Sequence, residues 1–238
     1  MPPSKDEKPL GRKAYGSIGH LPTSRLGPGD HKVTEGQARI CCEKARDKHD
    51  VIYVQEKLDG SCCAVAKING SIVALGRAGW LAQTSPYEQH QLFAQWVRMH
   101  EVRFIRLLAE GERVVGEWLA QAHGTRYTLR HEPFVVFDIM REAERALTEE
   151  VITRTMPLEF SIPRMLGTGP MSVPAAMGLQ EPSIHGATDP IEGAVWRVER
   201  KGKVDFLAKY VRPDKVDGCY LPEVSKGEAV WNWRPTND

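Results

Sequence analysis

The spacing of apolar residues changes several times along the chain between the pattern of a strand and that of a helix. These changes mark the predicted secondary-structure elements. From Val51 the run VIYVQEK has the pattern of a strand, and CCAVAKI and SIVALG form two more, joined by Asn69-Gly70. Asn-Gly tolerates positive φ at both positions and is the strongest short signal of a β-hairpin. We therefore predict a strand and then a hairpin between Val51 and Gly76.

Helical spacing appears on both sides of this region. Thr34 is a suitable N-cap for a helix that we expect to run to about His49. Apolar residues recur at helical intervals from Pro86 to about Leu108, and Pro86 suits a first helical turn. Shorter helices are predicted at Thr148–Arg154 and within VPAAMGL.

Four further strands complete the pattern: Arg113–Leu119, Phe134–Ile139, GAVWRVE and VDFLAKY, the last two joined by a turn at Lys201-Gly202-Lys203. Strands paired by hairpins, with helices outside them, predict an α+β fold of antiparallel sheets flanked by helices. We expect an N-terminal arm over residues 1–33, a main domain over 34–215, and a short C-terminal cap over 216–238 in which Trp231 and Trp233 pack back.

Composition narrows the class of protein. Of 238 residues, 32 are Lys or Arg and 31 are Asp or Glu, a formal charge of +1, so a strongly basic DNA-coating protein is excluded while a local basic groove is not. No apolar run is long enough to span a bilayer, and we expect no membrane partner. Cysteines occur as adjacent pairs plus Cys219, which fits neither a disulfide framework nor zinc spacing; free thiols indicate a cytoplasmic protein.

The run Lys57-Leu58-Asp59-Gly60 lies between two predicted strands. A lysine can attack phosphorus only as the neutral amine, so we expect burial and a nearby cation to lower its pKa. Gly60 allows a tight turn beneath a ligand. This short string alone is more often a surface lysine beside a turn.

Later runs change that interpretation, because they occur in a fixed order at predicted strand edges: LGRAG, VVGEWL, FVVFDI, PIEGAVWR and FLAKYV. With EKLDG they resemble the motif set of the covalent nucleotidyltransferase superfamily of DNA ligases, RNA ligases and mRNA capping enzymes. The resemblance implies a nucleotidyltransferase (ATP-grasp-like) domain. It also implies that Lys57, with Asp59 and Gly60, is the nucleophile element that carries AMP covalently.

The same resemblance assigns the remaining site residues. It implies that Arg77 contacts the nucleotide and the 5′-phosphate, that Glu117 holds the ribose, and that the Phe137 ring stacks on the purine. It implies that Glu192, helped by Glu117, binds Mg²⁺ (or Mn²⁺) and that Lys209 contacts the α-phosphate. Glu56 is expected to read the adenine edge through its backbone, and Asp138 to be structural.

Two departures from the superfamily pattern bear on the function. Val211 stands where most ligases have a second lysine, so Arg212 or Lys215 is a candidate substitute. Only about 29 residues follow Lys209, so we expect no OB-fold.

Without an OB-fold the sequence favours an ATP-dependent RNA ligase for RNA repair. It would join 5′-phosphate and 3′-hydroxyl ends through a lysyl-AMP and an adenylylated 5′ end. We expect Arg77, Lys203, Arg212 and Lys215 to contact the phosphates of a nicked or splinted RNA duplex. An end-healing kinase or phosphatase is a candidate partner. The alternatives are a minimal DNA ligase, a capping-type guanylyltransferase core, or a non-catalytic nucleic-acid-binding module.

The polar residues of two loops are left open. His123, Arg126 and Tyr127 either line the surface that binds the RNA ends or form only a polar loop, and the same holds for His20 and Arg25. The histidines do not lie at metal-ligand spacing, so a histidine metal site is not expected.

Overall fold

The computed structural model describes residues 8–235, which form two five-stranded sheets with helices around them. The strands are β1 Gly19–His20, β2 Asp50–Lys57, β3 Ser61–Ile68, β4 Ser71–Gly76, β5 Glu112–Trp118, β6 Phe134–Arg141, β7 Glu144–Arg145, β8 Met165–Thr168, β9 Gly193–Arg200 and β10 Lys203–Val211. The first sheet has the order β1-β10-β9-β2-β8, and the second β4-β3-β5-β6-β7.

Six α-helices lie among the described residues: α1 Glu35–Cys42, α2 Glu88–Met99, α3 Glu101–Leu107, α4 Thr148–Thr155, α5 Val173–Gly178 and α6 Pro222–Ser225. None of the helices within residues 8–235 is long and apolar enough to cross a membrane. The α+β class predicted from the sequence is confirmed.

The strand directions differ from the prediction in one place. All pairs in the second sheet are antiparallel, but β1 pairs in parallel with β10, with Gly19 opposite Ala208 and His20 opposite Lys209. A two-residue strand in a Gly- and Pro-rich segment has no alternating pattern, so the sequence did not predict it. The pairing brings the N-terminal arm against the strand that carries Lys209.

Each sheet buries its outer face beneath helices. The second sheet packs Trp118 and Phe134 against Phe93, Trp96 and other apolar residues of α2 and α3, and the C-terminal residues Trp231 and Trp233 cover this cluster. On the first sheet, the buried Trp196 side chain packs with the apolar residues of α1 and α5. The inner faces of the two sheets meet at a cleft.

Both predicted hairpin turns are present. Asn69 and Gly70 have φ of 50° and 77°, and Lys201 and Gly202 have φ of 51° and 76°. Two successive residues with positive φ match the right-handed twist of the flanking strands. These turns fix the register of β3 with β4 and of β9 with β10.

Two predicted helix boundaries are wrong. Thr34 caps α1 through a capping box with Gln37, as expected, but the helix ends at Cys42 rather than near His49. In the following segment Asp47 accepts a hydrogen bond from the His49 N–H, and Arg46 pairs with Asp50. These side-chain contacts stabilise a turn that competes with further helix.

The long helix predicted from Pro86 to Leu108 is also divided. Pro86 precedes α2, and the helix stops at His100 before α3 begins. The His100 Nδ1 lies 2.8 Å from the Trp96 carbonyl oxygen, and its N–H is shared between Trp96 and Val97. The break leaves Phe104 and Leu107 buried and Ile105 exposed.

Candidate active site

A cleft of about 730 Å³ opens between the inner faces of the two sheets. Because side chains alternate along a strand, Gln55 and Lys57 of β2 share one face, and Val195 of β9 and Lys209 of β10 lie beside them. The second sheet contributes Glu117 and Phe137 from the other side. The cleft therefore brings together residues that are far apart in the sequence.

Lys57 lies at the end of β2 with its amine in a carboxylate environment. Its Nζ is 2.5 Å from Glu192 Oε2, and the side chain is 21% exposed. Burial lowers the pKa of Lys57, but the charges of Glu192 and Glu117 outweigh that effect and raise the pKa above its ordinary value. The predicted fall in the Lys57 pKa is therefore wrong for this structure, in which the amine is an ammonium ion.

Glu192 joins Lys57 to a second lysine. Its Oε1 lies 2.5 Å from the Lys215 Nζ, which also lies 2.8 Å from Asp59 Oδ1. Lys215 is only 6% exposed, so its predicted place on an RNA-contacting surface is wrong. It is a buried cation between two carboxylates, and only the fold of the segment after β10 brings it there.

Asp59 and Gly60 have structural contacts that fix the loop after Lys57. Asp59 Oδ2 accepts a hydrogen bond from the Gly124 N–H at 2.9 Å, and the Asp59 N–H donates to the Tyr127 hydroxyl. A Cβ on Gly60 would lie 2.5 Å from the Trp118 carbonyl oxygen. Gly60 is thus required by a close backbone approach. The role of Tyr127 was left open by the sequence. Its side chain is buried and stabilises this loop through its hydrogen bond with Asp59.

Glu117 faces the same loop from β5. Its Oε1 accepts a hydrogen bond from the Gly60 N–H at 3.0 Å. Burial raises the pKa of Glu117 to about 7; the Lys57 charge opposes this rise and Glu192 adds to it. The carboxylates of Glu117 and Glu192 therefore repel each other in the cleft, and a bound cation would reduce that repulsion.

The described residues contain no group of three or more His, Cys, Asp or Glu side chains arranged for a metal ion. Glu117 and Glu192 nevertheless fit Mg²⁺, because this ion is usually held in nucleotide sites by one or two carboxylates together with substrate phosphates and water.

Lys209 and Arg77 supply positive charge to the cleft. Lys209 faces it from β10 with its Nζ 3.7 Å from Asp30 Oδ1, and burial lowers its pKa. Asp30 also lies 3.1 Å from the Nε2 of the buried His20. Arg77 follows β4, is exposed, and donates to the Gly16 carbonyl oxygen. The N-terminal arm thus contacts both cations.

Phe137 lines the cleft and packs edge-on against Tyr15, with ring centroids 5.2 Å apart. The neighbouring Asp138 is fully buried, where it pairs with Arg145 and Arg197. Asp138 was expected to be structural, and its position outside the cleft agrees with that expectation.

The Glu56 side chain points away from Lys57. It is 2% exposed and accepts a hydrogen bond from the Ser183 hydroxyl, while its backbone N–H donates to Arg164. Burial raises the pKa of Glu56 to about 7. Glu56 also lines the cleft, and its backbone is the part that the sequence analysis assigned to base recognition.

The other predicted surface residues are dispersed. Lys203 is exposed at the start of β10, outside the main cleft. Arg212 pairs with Asp214, and its N–H donates to the Glu192 carbonyl oxygen, so it supports the site from behind. His123 lines the cleft beside Gln89, whereas Arg126 and Arg25 pair with Asp189 and Asp217.

Several residues of the cleft were not predicted, among them Gln55 and Arg197. Gln55 was recognisable, because the period of two along β2 puts it on the same face as Lys57. Arg197 lies on the face of β9 that also carries Val195, so the same rule would have found it.

No curated protein sequence matches the chain. Among solved structures, a mutant Naegleria gruberi RNA ligase with ATP and Mn is similar at a TM-score of 0.55, with 17% identity over 90% of this chain and 64% of that one. The Naegleria gruberi RNA ligase with PPi has a TM-score of 0.53 and 18% identity, covering 95% and 64%. An archaeal ATP-dependent RNA ligase has a TM-score of 0.44 and 18% identity, covering 68% and 42%.

The chain thus spans less than two thirds of each of these matched chains. The two Naegleria gruberi matches, at identities this low, show likeness of fold alone. A family model gives the more direct result. The model described as RNA ligase matches residues 50–211, which is more than half of the sequence and includes every motif residue from Glu56 to Lys209. The chain therefore belongs to the RNA ligase family.

Proposed function

We propose that this chain is an ATP-dependent RNA ligase that joins 5′-phosphate and 3′-hydroxyl ends in RNA repair. The observation that carries the proposal is the convergence of Lys57, Glu192, Glu117 and Lys209 on one cleft between the sheets. The Lys57 amine is directed into a site where both a nucleotide and its counter-charges can be accommodated. The family membership supports the same activity.

The first step would form a bond between Lys57 Nζ and the α-phosphorus of ATP and break the bond to the β-phosphate, which releases pyrophosphate. The ammonium must first lose its proton, and its partly exposed position lets water accept it. Lys209 and Arg77 would stabilise the charge on the non-bridging oxygens.

Two transfers would follow from the lysyl-AMP. An oxygen of the RNA 5′-phosphate attacks the AMP phosphorus and breaks its bond to Lys57. The 3′-hydroxyl oxygen then attacks the 5′-phosphorus and releases AMP. Phe137 offers an aromatic face to the base throughout.

Glu192 and Glu117 are the residues we propose for binding Mg²⁺ or Mn²⁺, which would supply positive charge to the phosphates. The Naegleria gruberi structures with ATP and Mn make a divalent cation the natural expectation. Lys215 would fulfil the role of the second lysine that is missing at Val211, because its ammonium holds Glu192 and Asp59 in place.

We further propose a nucleotidyltransferase domain over residues 34–215, preceded by an arm over 1–33 and followed by a cap over 216–238. The substrate would be a nicked or splinted RNA duplex, with an end-healing kinase or phosphatase as a candidate partner. The five free cysteines are consistent with a reducing compartment such as the cytoplasm.

Labelling of the protein with nucleotide tests the proposal. Radiolabel from α-labelled ATP should become covalently attached to the wild type and to Lys48→Ala, a change at an exposed lysine outside the cleft, but not to Lys57→Ala. Labelling that persists in Lys57→Ala would show that the nucleophile is wrong. Label taken from GTP in preference to ATP would indicate a capping-type enzyme instead.

A further inference from the structure

The ring of His123 lines the cleft with one of its two nitrogens unpaired. Its Nε2 lies 3.0 Å from Gln89 Oε1, whereas its Nδ1 has no hydrogen-bond partner among residues 8–235. The Nδ1 is not fully enclosed by protein, so it faces the open cleft. The steps proposed for ligation leave this nitrogen unused.

Gln89 fixes which ring nitrogen carries the hydrogen. An amide oxygen can only accept a hydrogen bond, so the His123 Nε2 must be the donor. In a neutral ring the other nitrogen is then an acceptor. Burial and the charge of Lys215 lower the pKa of His123 to about 4, so the ring is neutral at neutral pH. His123 therefore directs a lone pair into the cleft.

The contacts around His123 place it on the Lys57 side of the cleft, beyond the end of β2. The next residue, Gly124, donates its N–H to Asp59 in the loop that follows Lys57. The charge of Glu192, which contacts the Lys57 amine, also acts on the His123 ring. The ring thus lies near the atoms that would react.

The opposite end of the cleft has apolar walls that suit a nucleotide base. Val195 pairs with Gln55, two residues before Lys57, and Leu207 lies further in the same direction. A nucleotide with its base there and its α-phosphate at Lys57 reaches toward His123 only with phosphate groups. Phosphate oxygens are acceptors, so the His123 lone pair finds no donor in ATP.

The two RNA ends differ in what they offer to this lone pair. The 5′-phosphate again presents acceptor oxygens. The 3′ end presents a hydroxyl, which must come close to the reacting phosphorus in order to attack it. A hydroxyl donates to a nitrogen lone pair, and hydrogen-bond reach is the first requirement of a general base. The 3′-hydroxyl is therefore the group that fits His123.

We propose that His123 accepts a hydrogen bond from the RNA 3′-hydroxyl and takes its proton in the sealing step. This inference rests on the proposed function. A bond forms between the 3′-oxygen and the 5′-phosphorus, and the bond from that phosphorus to AMP breaks. The hydroxyl proton passes to His123 Nδ1 and then to water. Gln89 is a positioning residue, because it holds the ring in the required tautomer.

RNA that already carries AMP on its 5′ end isolates the sealing step. With this substrate, His123→Ala should join the ends at least about tenfold more slowly than the wild type. Its formation of lysyl-AMP from labelled ATP should be the same as in the wild type, because the first step does not use the ring. His123→Gln keeps an acceptor oxygen and should recover part of the sealing rate.

His49→Ala is the matched control, because it changes an exposed histidine outside the cleft. It should seal at the wild-type rate. Gln89→Met removes the acceptor that fixes the tautomer, so it should slow sealing and leave lysyl-AMP formation unchanged. Thermal denaturation of each variant separates loss of folding from loss of rate.

Three results would overturn the inference: sealing at the wild-type rate in His123→Ala, an equal loss of sealing and lysyl-AMP formation, or a defect that disappears when the 3′-terminal nucleotide lacks its 2′-hydroxyl. The last result would assign the contact to the 2′-hydroxyl instead. A wild type that forms no lysyl-AMP would contradict the proposed function itself. A wild type that labels and seals, with no effect of His123→Ala, would contradict the inference alone.

Discussion

At the scale of single residues, the site is a chain of alternating charges. Lys57, Glu192, Lys215 and Asp59 follow one another through contacts of 2.5 to 2.8 Å. Each carboxylate is buried and would be costly to leave alone. The proposed nucleophile Lys57 is thus held by Glu192, and Glu192 in turn is held by Lys215, which lies behind the cleft.

Replacing Lys215 should therefore impair the site without touching the nucleotide directly. Lys215→Met leaves Asp59 and Glu192 without their shared cation, so we expect the free energy of unfolding to fall by about 3 kcal/mol. The rate of lysyl-AMP formation in the protein that remains folded should fall at least tenfold. Urea denaturation and labelling with ATP measure the two effects.

Lys215→Arg should recover part of the rate, since a guanidinium can also bridge two carboxylates. Lys48→Met, at an exposed position, should change neither quantity. A wild-type rate in Lys215→Met would mean that Lys215 does not position Glu192.

The ionisation of the Glu56 carboxyl should make the free energy of unfolding depend on pH. Its pKa is raised from 4.5 to about 7 by burial, so the folded protein binds this proton more tightly than the unfolded chain does. Stability should be greatest below about pH 4.5, fall as the pH rises to about 7, and then stay level, a loss of roughly 3 kcal/mol.

Glu56→Gln removes this ionisation and should make the decline in stability between pH 4.5 and 8, measured by denaturation, smaller than in the wild type; the part that remains belongs to Glu117, whose pKa is also raised to about 7. Glu228→Gln, at an exposed carboxyl, serves as the comparison. A wild-type profile in Glu56→Gln would show that another group causes the decline.

At the scale of elements, close contacts of backbone set the geometry. Gly193 begins β9, and a Cβ there would lie 1.8 Å from the Tyr210 carbonyl oxygen of β10. The two strands can approach at this point only because Gly193 has no side chain. Glu192 precedes it, so the approach also fixes the carboxylate in the cleft.

Gly193→Ala should separate β9 from β10 near the site. We expect a loss of stability of more than about 3 kcal/mol, measured by denaturation, and a matching loss of lysyl-AMP formation. Gly36→Ala in α1 meets no atom within 4 Å and should be neutral or slightly stabilising. Similar behaviour of the two variants would refute the steric argument.

The longer strands and the two hairpin turns were predictable from sequence, because alternation and Asn-Gly chemistry are local properties. The short strands β1, β7 and β8 were not predicted. The ends of α1 and α2 were not, since side-chain contacts of Asp47 and His100 decide them. The same distinction applies to the site. Lys57, Glu117 and Lys209 were named because short runs on strands resemble the motif set of a known superfamily, whereas the position of Lys215 depends on how the chain folds after β10.

At the scale of the whole molecule, the formal net charge is +1, so the protein as a whole does not attract the negatively charged RNA backbone. RNA binding should therefore depend on where individual Lys and Arg side chains lie on the surface. Arg77 and Lys203 are both exposed. Arg77 contacts the N-terminal arm at Gly16, and Lys203 lines a surface pocket together with Gly19 and Lys32 of the arm. The buried Lys215 cannot contribute. RNA binding should therefore rely on few phosphate contacts.

The double variant Arg77→Ala, Lys203→Ala should bind RNA more weakly at low salt. The slope of log affinity against log salt concentration should become shallower by roughly one to two. Filter binding at several salt concentrations measures this, with Lys48→Ala as the control. Affinity that is the same at about 50 mM and 200 mM salt would contradict an electrostatic contact.

The short parallel pairing of β1 with β10 has a second consequence. A strand at the border of a sheet can recruit another chain unless something covers its free N–H and C=O groups. Here the backbone N–H groups of Leu21 and Arg25 also donate hydrogen bonds to the carbonyl oxygens of Lys209 and Val211, so the arm shields the border of the sheet beside the proposed active site. Substitutions that weaken the pairing of the arm with β10 should therefore cause both self-association and loss of ligation. Both effects are expected because one stretch of backbone covers the sheet border and lies beside the proposed active site.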